Sequence, residues 1–567
     1  MKVNWTGHPF VDAGLGALAA IAKVQDLAQL TPAHLDAAAE ELKRVLLSDL
    51  SLGIGVDKSF AKGALSQLFP NSELVNPSNW KGTTPQQKAQ NVKQKYKQAI
   101  DLDLQRAKQC LQAKGNETCF ICGARCSADA VSVVRKDKVP LLVGIANFYP
   151  ALSPGVTICG LCAFTIRFLP MAVLRTSGSK RLWFLHTQAL QIATQVAYRY
   201  GWEHFSQCIA KNKALDFFGE WETSGDAGTL LYLLCELLET FSNQLRSIYL
   251  SPLPVTAYLF SNDNRNSYVQ AVPIPNELLR FLAKLQIQSN SAFQRFRCEL
   301  LKLSKSLSEE QRKPRARFVQ SVADRMLRAE RIIGLCLDSE TPKLLGGWEG
   351  HRLYLVEVRN MPEAKLAILE RLGIQIAQSA DAKRRVEELR RARFNELYGV
   401  LLRYVREGWL KHDEFYTLLP PNDHSASNEV RDILLAIAYE WEYSQTQGQP
   451  FPSLAESSPL TPDETLQRIQ QIGDRICQHL SNLSRWIGQL QTARSSDGIR
   501  RAYLTAVRSS AMGFADFVFL APLGDRQRTW LLRDYLLAFL FEQARNKLPE
   551  EELITVGVET EMNTGGE

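Results

Sequence analysis

Cys119-Phe120-Ile121-Cys122-Gly123 and Cys159-Gly160-Leu161-Cys162 are two C-x-x-C pairs on one short stretch of a 567-residue chain. Two residues between cysteines let both thiolates reach a single tetrahedral ion, and a following glycine eases the tight turn. Two such pairs give four thiolates and leave no open position for water, so the expected cofactor is a structural Zn2+ held by Cys119, Cys122, Cys159 and Cys162. Unliganded thiols or a redox pair are the alternative reading, and Cys126 is an alternative ligand. Strand-like runs at Val131–Val134 and Leu141–Ile145, joined by the charged turn Arg135-Lys136-Asp137-Lys138, read as a hairpin that brings the two pairs together. Residues 115–165 thus read as a zinc-ribbon-like unit inserted into a larger region.

Working outward, Asn4 to Ala22 reads as a loop and a helix, and Thr31-Pro32 as an N-cap with a first-turn proline before a second helix. Turn formers crowd residues 70–85, and a lysine-rich helix with Asp101 and Asp103 as its opposing charges follows. Val255–Phe260 and Arg352–Val358 read as strands. Past residue 361 amphipathic helices dominate. The strongest is Leu466, Ile469, Ile472, Ile476, Leu480, Leu483, Ile487 and Leu490, with Thr461-Pro462-Asp463-Glu464 as its capping box. A short strand-like piece, Ile554–Val558, lies in an acidic tail. The fold class is α+β, mainly helical: a mixed N-terminal region, 1–360, containing the four-cysteine unit at 115–165, then an all-helical bundle, 361–567.

Hydrophobic residues make up 45% of the chain and charged residues 22%, which excludes collagen-like and wholly disordered classes. The richest apolar run, Leu230–Phe241, carries Glu236 and Glu239 and is too short for a bilayer, so no membrane partner is expected. With no signal-peptide order at the N-terminus and an odd eleven cysteines, the expected location is cytoplasmic. The phosphate-loop, dinucleotide, zinc-protease and nucleophile-elbow motifs are all missing, and His412-Asp413 reads as a solvated helix end. The net charge, +7, is too small to argue for nucleic acid, so its distribution decides.

Cation concentrates from Lys305 to Arg331 and in a helix from Lys383 to Lys411 that carries Lys383, Arg384, Arg385, Arg390, Arg391 and Arg393. Guanidinium forks suit phosphate, so these are candidate nucleic-acid backbone contacts; pairing with Glu387, Glu388, Glu396 and Glu407 on a solvated face is the alternative. The loop with Asn262, Asn264, Arg265 and Asn266 has the amide and guanidinium chemistry that reads base edges, and also the composition of a plain turn.

Asn4-Trp5-Thr6-Gly7-His8-Pro9-Phe10-Val11-Asp12-Ala13-Gly14, then Phe69-Pro70-Asn71-Ser72 with Asn76-Pro77-Ser78, then the C-x-x-C pairs, resemble in kind and order the CxxC-CxxC family of large subunits of type I CRISPR surveillance complexes, near subtype I-B. The resemblance covers about the first 165 residues. It implies a non-catalytic subunit of a Cascade assembly that recognises the protospacer-adjacent motif on duplex DNA and helps unwind it, while guide pairing reads the sequence. Its implied partners are crRNA, target duplex DNA, the backbone, crRNA 5′-end and small subunits, and a helicase-nuclease or transposon targeting factor. The resemblance further implies that the C-terminal bundle resembles the small subunit and lies along the crRNA–target duplex and displaced strand. In this setting Asn262, Asn264, Arg265 and Asn266 are the expected motif readers, with the loop of Asn4, Trp5 and His8 as competitor. Met361, or failing it Met326, is the expected internal start of a separate small subunit. A cytosolic zinc-ribbon enzyme acting on nucleic acid is the alternative function.

Overall fold

A computed structural model describes residues 3–70, 72–112, 115–134, 138–140, 155–176, 181–219, 221, 225–240, 254–262, 267–304, 306–338, 340–420, 424–448, 451, 464–522 and 526–547. The chain divides into two compact units, Met1–Glu330 and Arg331–Glu567, and is mainly helical in both. Residues 331–360, placed by the sequence reading in the N-terminal region, group with the C-terminal unit.

The first unit opens with α1 (Pro9–Ala22), α2 (Pro32–Leu46) and α3 (Pro85–Gln112). Pro32 enters the first turn of α2 and the Thr31 hydroxyl accepts from the His34 amide, the expected cap. Short strands β1 (Glu117–Thr118) and β2 (Arg125–Cys126) pair antiparallel around the first cysteine pair. Strand β3 (Val131–Val134) pairs antiparallel with β4 (Val156–Cys159), which runs into α4 (Gly160–Thr165). The expected partner strand Leu141–Ile145 lies outside the described residues; among those described, β4 takes that place.

Strands β5 (Leu174–Arg175), β6 (Leu182–Thr187), β7 (Val255–Ser261) and β8 (Tyr268–Ile274) form an antiparallel sheet in that order, and β7 matches the expected strand. Helix α1 is seated on it through Phe10, whose ring lies 5.1 Å from Phe184 and 5.0 Å from Phe260. Helices α5 (Gly225–Thr240), α6 (Asn276–Gln288), α7 (Asn290–Leu300) and α8 (Glu309–Leu327) also belong to the unit.

The four-cysteine segment packs into the core of this unit. Cys119, Cys126, Cys159 and Cys162 belong to the same continuous apolar core as Phe10, Leu18, Leu42 and Ile100. Helix α4 lies so close to α3 that a Cβ at Gly160 would collide with Arg106, and a Cβ at Gly14 of α1 would collide with the Thr165 carbonyl. Only glycine allows these backbone approaches.

The second unit contains the two-stranded pair β9 (Leu337–Asp338) and β10 (Lys343–Leu344) and the helices α9 (Trp348–Glu357), α10 (Glu363–Gln378), α11 (Ala382–Arg391), α12 (Phe394–Arg406), α13 (His412–Leu418), α14 (His424–Thr446), α15 (Glu464–His479), α16 (Leu483–Thr492), α17 (Ser496–Arg508), α18 (Phe514–Leu520) and α19 (Arg526–Lys547). Helices α12, α13, α15 and α16 pack around α19, while α10 packs on α14.

Several expectations are corrected here. Arg352–Val358 is helical, within and just after α9; Trp348, His351, Leu355 and Val358 recur at three- and four-residue spacing, and that period overrides the local alternation. The run Leu466–Leu490 is two helices, α15 and α16, broken around Ser481-Asn482, residues of low helix propensity. The apolar period survives the break because both halves face α19. Lys383–Lys411 is likewise two helices, α11 and α12, separated by the extended Ala392-Arg393. The capping-box residues 461–463 and the piece Ile554–Val558 lie outside the described residues. Among the described residues no helix is long and apolar enough to cross a membrane.

Candidate metal centre and nucleic-acid surfaces

Each cysteine pair sits in a local structure that its sequence dictates. Cys119 and Cys122 cap the β1–β2 turn, where Gly123 takes the left-handed conformation at φ 69°. Cys159 is the N-cap of α4, and Gly160-Leu161-Cys162 is that helix's first turn. In both pairs the backbone N–H of the second cysteine donates to the first sulfur, Cys122 N to Cys119 Sγ at 3.5 Å and Cys162 N to Cys159 Sγ at 3.4 Å. Amides aimed at sulfur stabilise the thiolate form.

The four sulfurs lie within 4.8 Å of one another. Cys119 Sγ is 3.9 Å from Cys162 Sγ and Cys122 Sγ is 3.6 Å from Cys159 Sγ. A tetrahedral ion with metal–sulfur bonds of about 2.3 Å needs sulfur–sulfur edges of about 3.8 Å, whereas a disulfide needs about 2.05 Å. The spacing therefore fits an ion and not a disulfide. Cys119, Cys159 and Cys162 are buried and Cys122 is half-buried. Left as bare thiols, the four ionise unevenly: hydrogen bonding with Cys122 pulls Cys119 down, while hydrogen bonding with Cys110, then Cys119, pushes Cys159 up. A thiophilic cation resolves that conflict by holding all four as thiolates. With four sulfur ligands the centre would be architectural.

Sequence spacing did not reveal Cys110, because it arrives from the last turn of α3 rather than from the local segment. Cys110, Cys126 and Cys159 form a second buried trio, also within 4.8 Å of one another. Cys126 accordingly sits beside the four-sulfur site, next to Cys159, and the first four cysteines do not require it as a replacement ligand.

A cavity of about 260 Å³ opens against the first cysteine pair, lined by Asn4, Trp5 and Thr6 from the N-terminal loop and by Cys122, Gly123 and Ala124. That loop is wound on Asp12, a fully buried carboxylate. Asp12 accepts from the Thr6 amide at 2.8 Å, the Thr6 hydroxyl at 2.7 Å and the Gly7 amide at 3.0 Å, and meets His186 Nε2 at 3.0 Å. Asn4 is exposed and Trp5 half-buried at the mouth.

The expected base-reading loop divides. Asn262 is fully buried and donates its amide to the Leu68 carbonyl at 2.8 Å, so it is not displayed to a ligand: it fastens the end of β7 to the segment leading into Phe69-Pro70. Asn264, Arg265 and Asn266 lie outside the described residues.

The arginine-rich segment is largely committed to carboxylates. Arg385 is 9% exposed, bonds Asp381 at 2.6 Å and Glu407 at 2.8 Å, and lies over the Trp409 ring at 4.3 Å, which makes it a core residue rather than a phosphate contact. Arg384 pairs with Asp381 at 2.5 Å, and Arg390 and Arg391 both pair with Glu387. These three, with Lys383 and Arg393, are exposed. Arg384 and Arg391 join Arg403, Arg406 and Arg533, with Glu387, Glu388 and Glu396, around an open cleft of about 940 Å³. Two lysines of α3 are similarly neutralised: Lys93 by Asp49 at 2.6 Å and Lys108 by Asp36 at 2.5 Å. Asp103 turns inward to a buried pair with Arg167 at 2.6 Å. His412, expected at a solvated end, instead joins three helices. The Gln470 amide lies 2.7 Å from its Nε2, which leaves Nδ1–H to donate to Glu542 at 2.6 Å.

No family model, curated protein or solved structure matches the chain.

Proposed function

We propose that this chain is a non-catalytic, metal-stapled large subunit of a type I, I-B-like CRISPR ribonucleoprotein, recognising a short motif on duplex DNA beside a crRNA-guided target site. The observation that supports this reading is the convergence of two stretches more than a hundred residues apart: Asn4-Trp5-Thr6 and Cys122-Gly123-Ala124 line one cavity. Both stretches are among those that carry the resemblance, and their juxtaposition supplies an aromatic and an amide at the edge of a thiolate-lined platform. A nucleobase-sized opening of this chemistry suits stacking and hydrogen bonding to base edges.

In this reading the motif is read by Asn264, Arg265 and Asn266 or by the rival loop of Asn4 and Trp5, with Asn262 as a positioning residue for the former. Backbone binding falls to the exposed Lys383, Arg384, Arg390, Arg391 and Arg393, of which Arg384 and Arg391 line the arginine-rich cleft of the second unit, along crRNA–target duplex or displaced strand. Partners are crRNA, target DNA, the other Cascade subunits, and a helicase-nuclease or transposon targeting factor. The site is cytoplasmic, where reduced thiols keep a zinc centre intact.

The test is selection by the complex assembled on crRNA from duplexes with a matched target and a randomised flank. Enrichment of one short flank, abolished by an Asn4→Ala, Trp5→Ala double change or by an Asn264→Ala, Arg265→Ala, Asn266→Ala triple change, supports the reading and identifies the loop. Uniform recovery of all flanks, or robust cutting of DNA by the isolated chain with Mg2+ or Mn2+, overturns it.

A further inference from the structure

The cysteine cluster has more sulfur than one tetrahedral ion uses. We propose that it is a two-metal centre, in which a second thiophilic ion is held by Cys110, Cys126 and Cys159, with the Cys159 thiolate bridging the two ions. The inference rests on the reading that Cys119, Cys122, Cys159 and Cys162 hold the first.

Three observations carry it. The three sulfurs come from three separate elements, the end of α3, the end of β2 and the end of β4, and still meet within 4.8 Å. A trigonal sulfur site with metal bonds of about 2.3 Å has edges of about 4 Å, so only a small inward movement is needed. All three residues are essentially inaccessible, at 2%, 0% and 0% exposure. Soft thiolates in a dry pocket select soft ions such as Zn2+, Cd2+ or Cu+, and three-coordination suits the last of these. Finally, Cys159 is common to both groups, and a thiolate sulfur has lone pairs enough to bond two ions at once. The Cys110 sulfur lies 3.3 Å from the Ala130 carbonyl, the contact that a protonated thiol would keep if the second ion were absent.

The second ion would tie α3 to the two hairpins independently of the C-x-x-C pairs. It would account for a cysteine at 110, inside a polar helix where alanine has the better helix propensity.

The experiment uses the full chain, purified under reducing, anaerobic conditions and exchanged into 113Cd2+. Two equivalents of cadmium per chain by native mass spectrometry, with two 113Cd resonances split by mutual coupling through the shared sulfur, are expected. Cys110→Ala and Cys126→Ala should each lower the count from two to one and leave a single unsplit resonance, with the far-ultraviolet circular dichroism of the parent. One equivalent and one resonance in the unsubstituted chain overturns the second site alone. No bound cadmium overturns the four-cysteine centre with it.

Discussion

The sulfurs of Cys122 and Cys159 stand 3.6 Å apart although 37 positions separate them in sequence. That closeness puts one hairpin and one helix terminus within reach of a single ion, and the first prediction follows from it. Removing the ion, by chelation or by Cys162→Ser, should lower the unfolding temperature of Met1–Glu330 while the transition of Arg331–Glu567 stays in place. Structural ions contribute folding free energy directly. Differential scanning calorimetry reads both transitions; an unchanged first transition refutes the stapling role.

Gly160 sets how closely the metal-bearing helix approaches α3. Gly160→Ala should cost about 1–3 kcal/mol, because the new methyl meets Arg106 backbone and Cβ that have nowhere to retreat. Chemical denaturation checks the value, and zinc content should fall in parallel as the second cysteine pair is pushed off register.

Asn262 is a strut in this account. Asn262→Ala should cost about 1–3 kcal/mol by leaving the Leu68 carbonyl buried without its donor. Equal midpoints for the parent and Asn262→Ala would contradict the strut.

The proposed internal start can be decided by packing. Trp348 donates its indole N–H to the buried Glu370 carboxylate at 2.9 Å, and Arg352 reaches the same oxygen at 3.0 Å. A fragment beginning at Met361 lacks both donors, whereas one beginning at Met326 keeps them. The Met326 fragment should therefore fold cooperatively and the Met361 fragment should be markedly less stable, because it also loses the buried side chains of Trp348, Tyr354 and Leu355 from the core. A stable, monomeric Met361 fragment would count against this.

Acid sensitivity follows from Glu542. Its hydrogen bond from His412 holds the carboxyl below its ordinary 4.5, so the folded value lies under the unfolded one. The stability from this contact is complete above about pH 4.5 and is lost as acidification passes through the folded value. Glu542→Gln should shrink the stability difference between pH 6 and pH 3 relative to the parent; an identical acid profile would show that the pair contributes nothing.

Much of this molecule could be read in advance where the chemistry is local. The C-x-x-C pairs, the Thr31 cap and the strand at 255 are specified by residues a few positions apart, and the structure places the four cysteines together. What escaped reading was set by partners distant in sequence. Asn262 has the composition of a turn but meets Leu68, Arg385 has the look of a surface cation but stacks beneath Trp409, and Cys110 sits in a polar helix yet faces Cys159. Arg352–Val358 misled because β-branched and aromatic residues alternate over a stretch too short to show its helical period.

The central claim is that this chain works on nucleic acid as part of an RNA-guided assembly. The most direct measurement is affinity recovery of the tagged full-length chain from its own host, followed by sequencing of the RNA that comes with it. Short RNAs carrying a common repeat-derived 5′ end joined to varied spacers are the predicted result. RNA no different from that recovered with an untagged control would contradict the account.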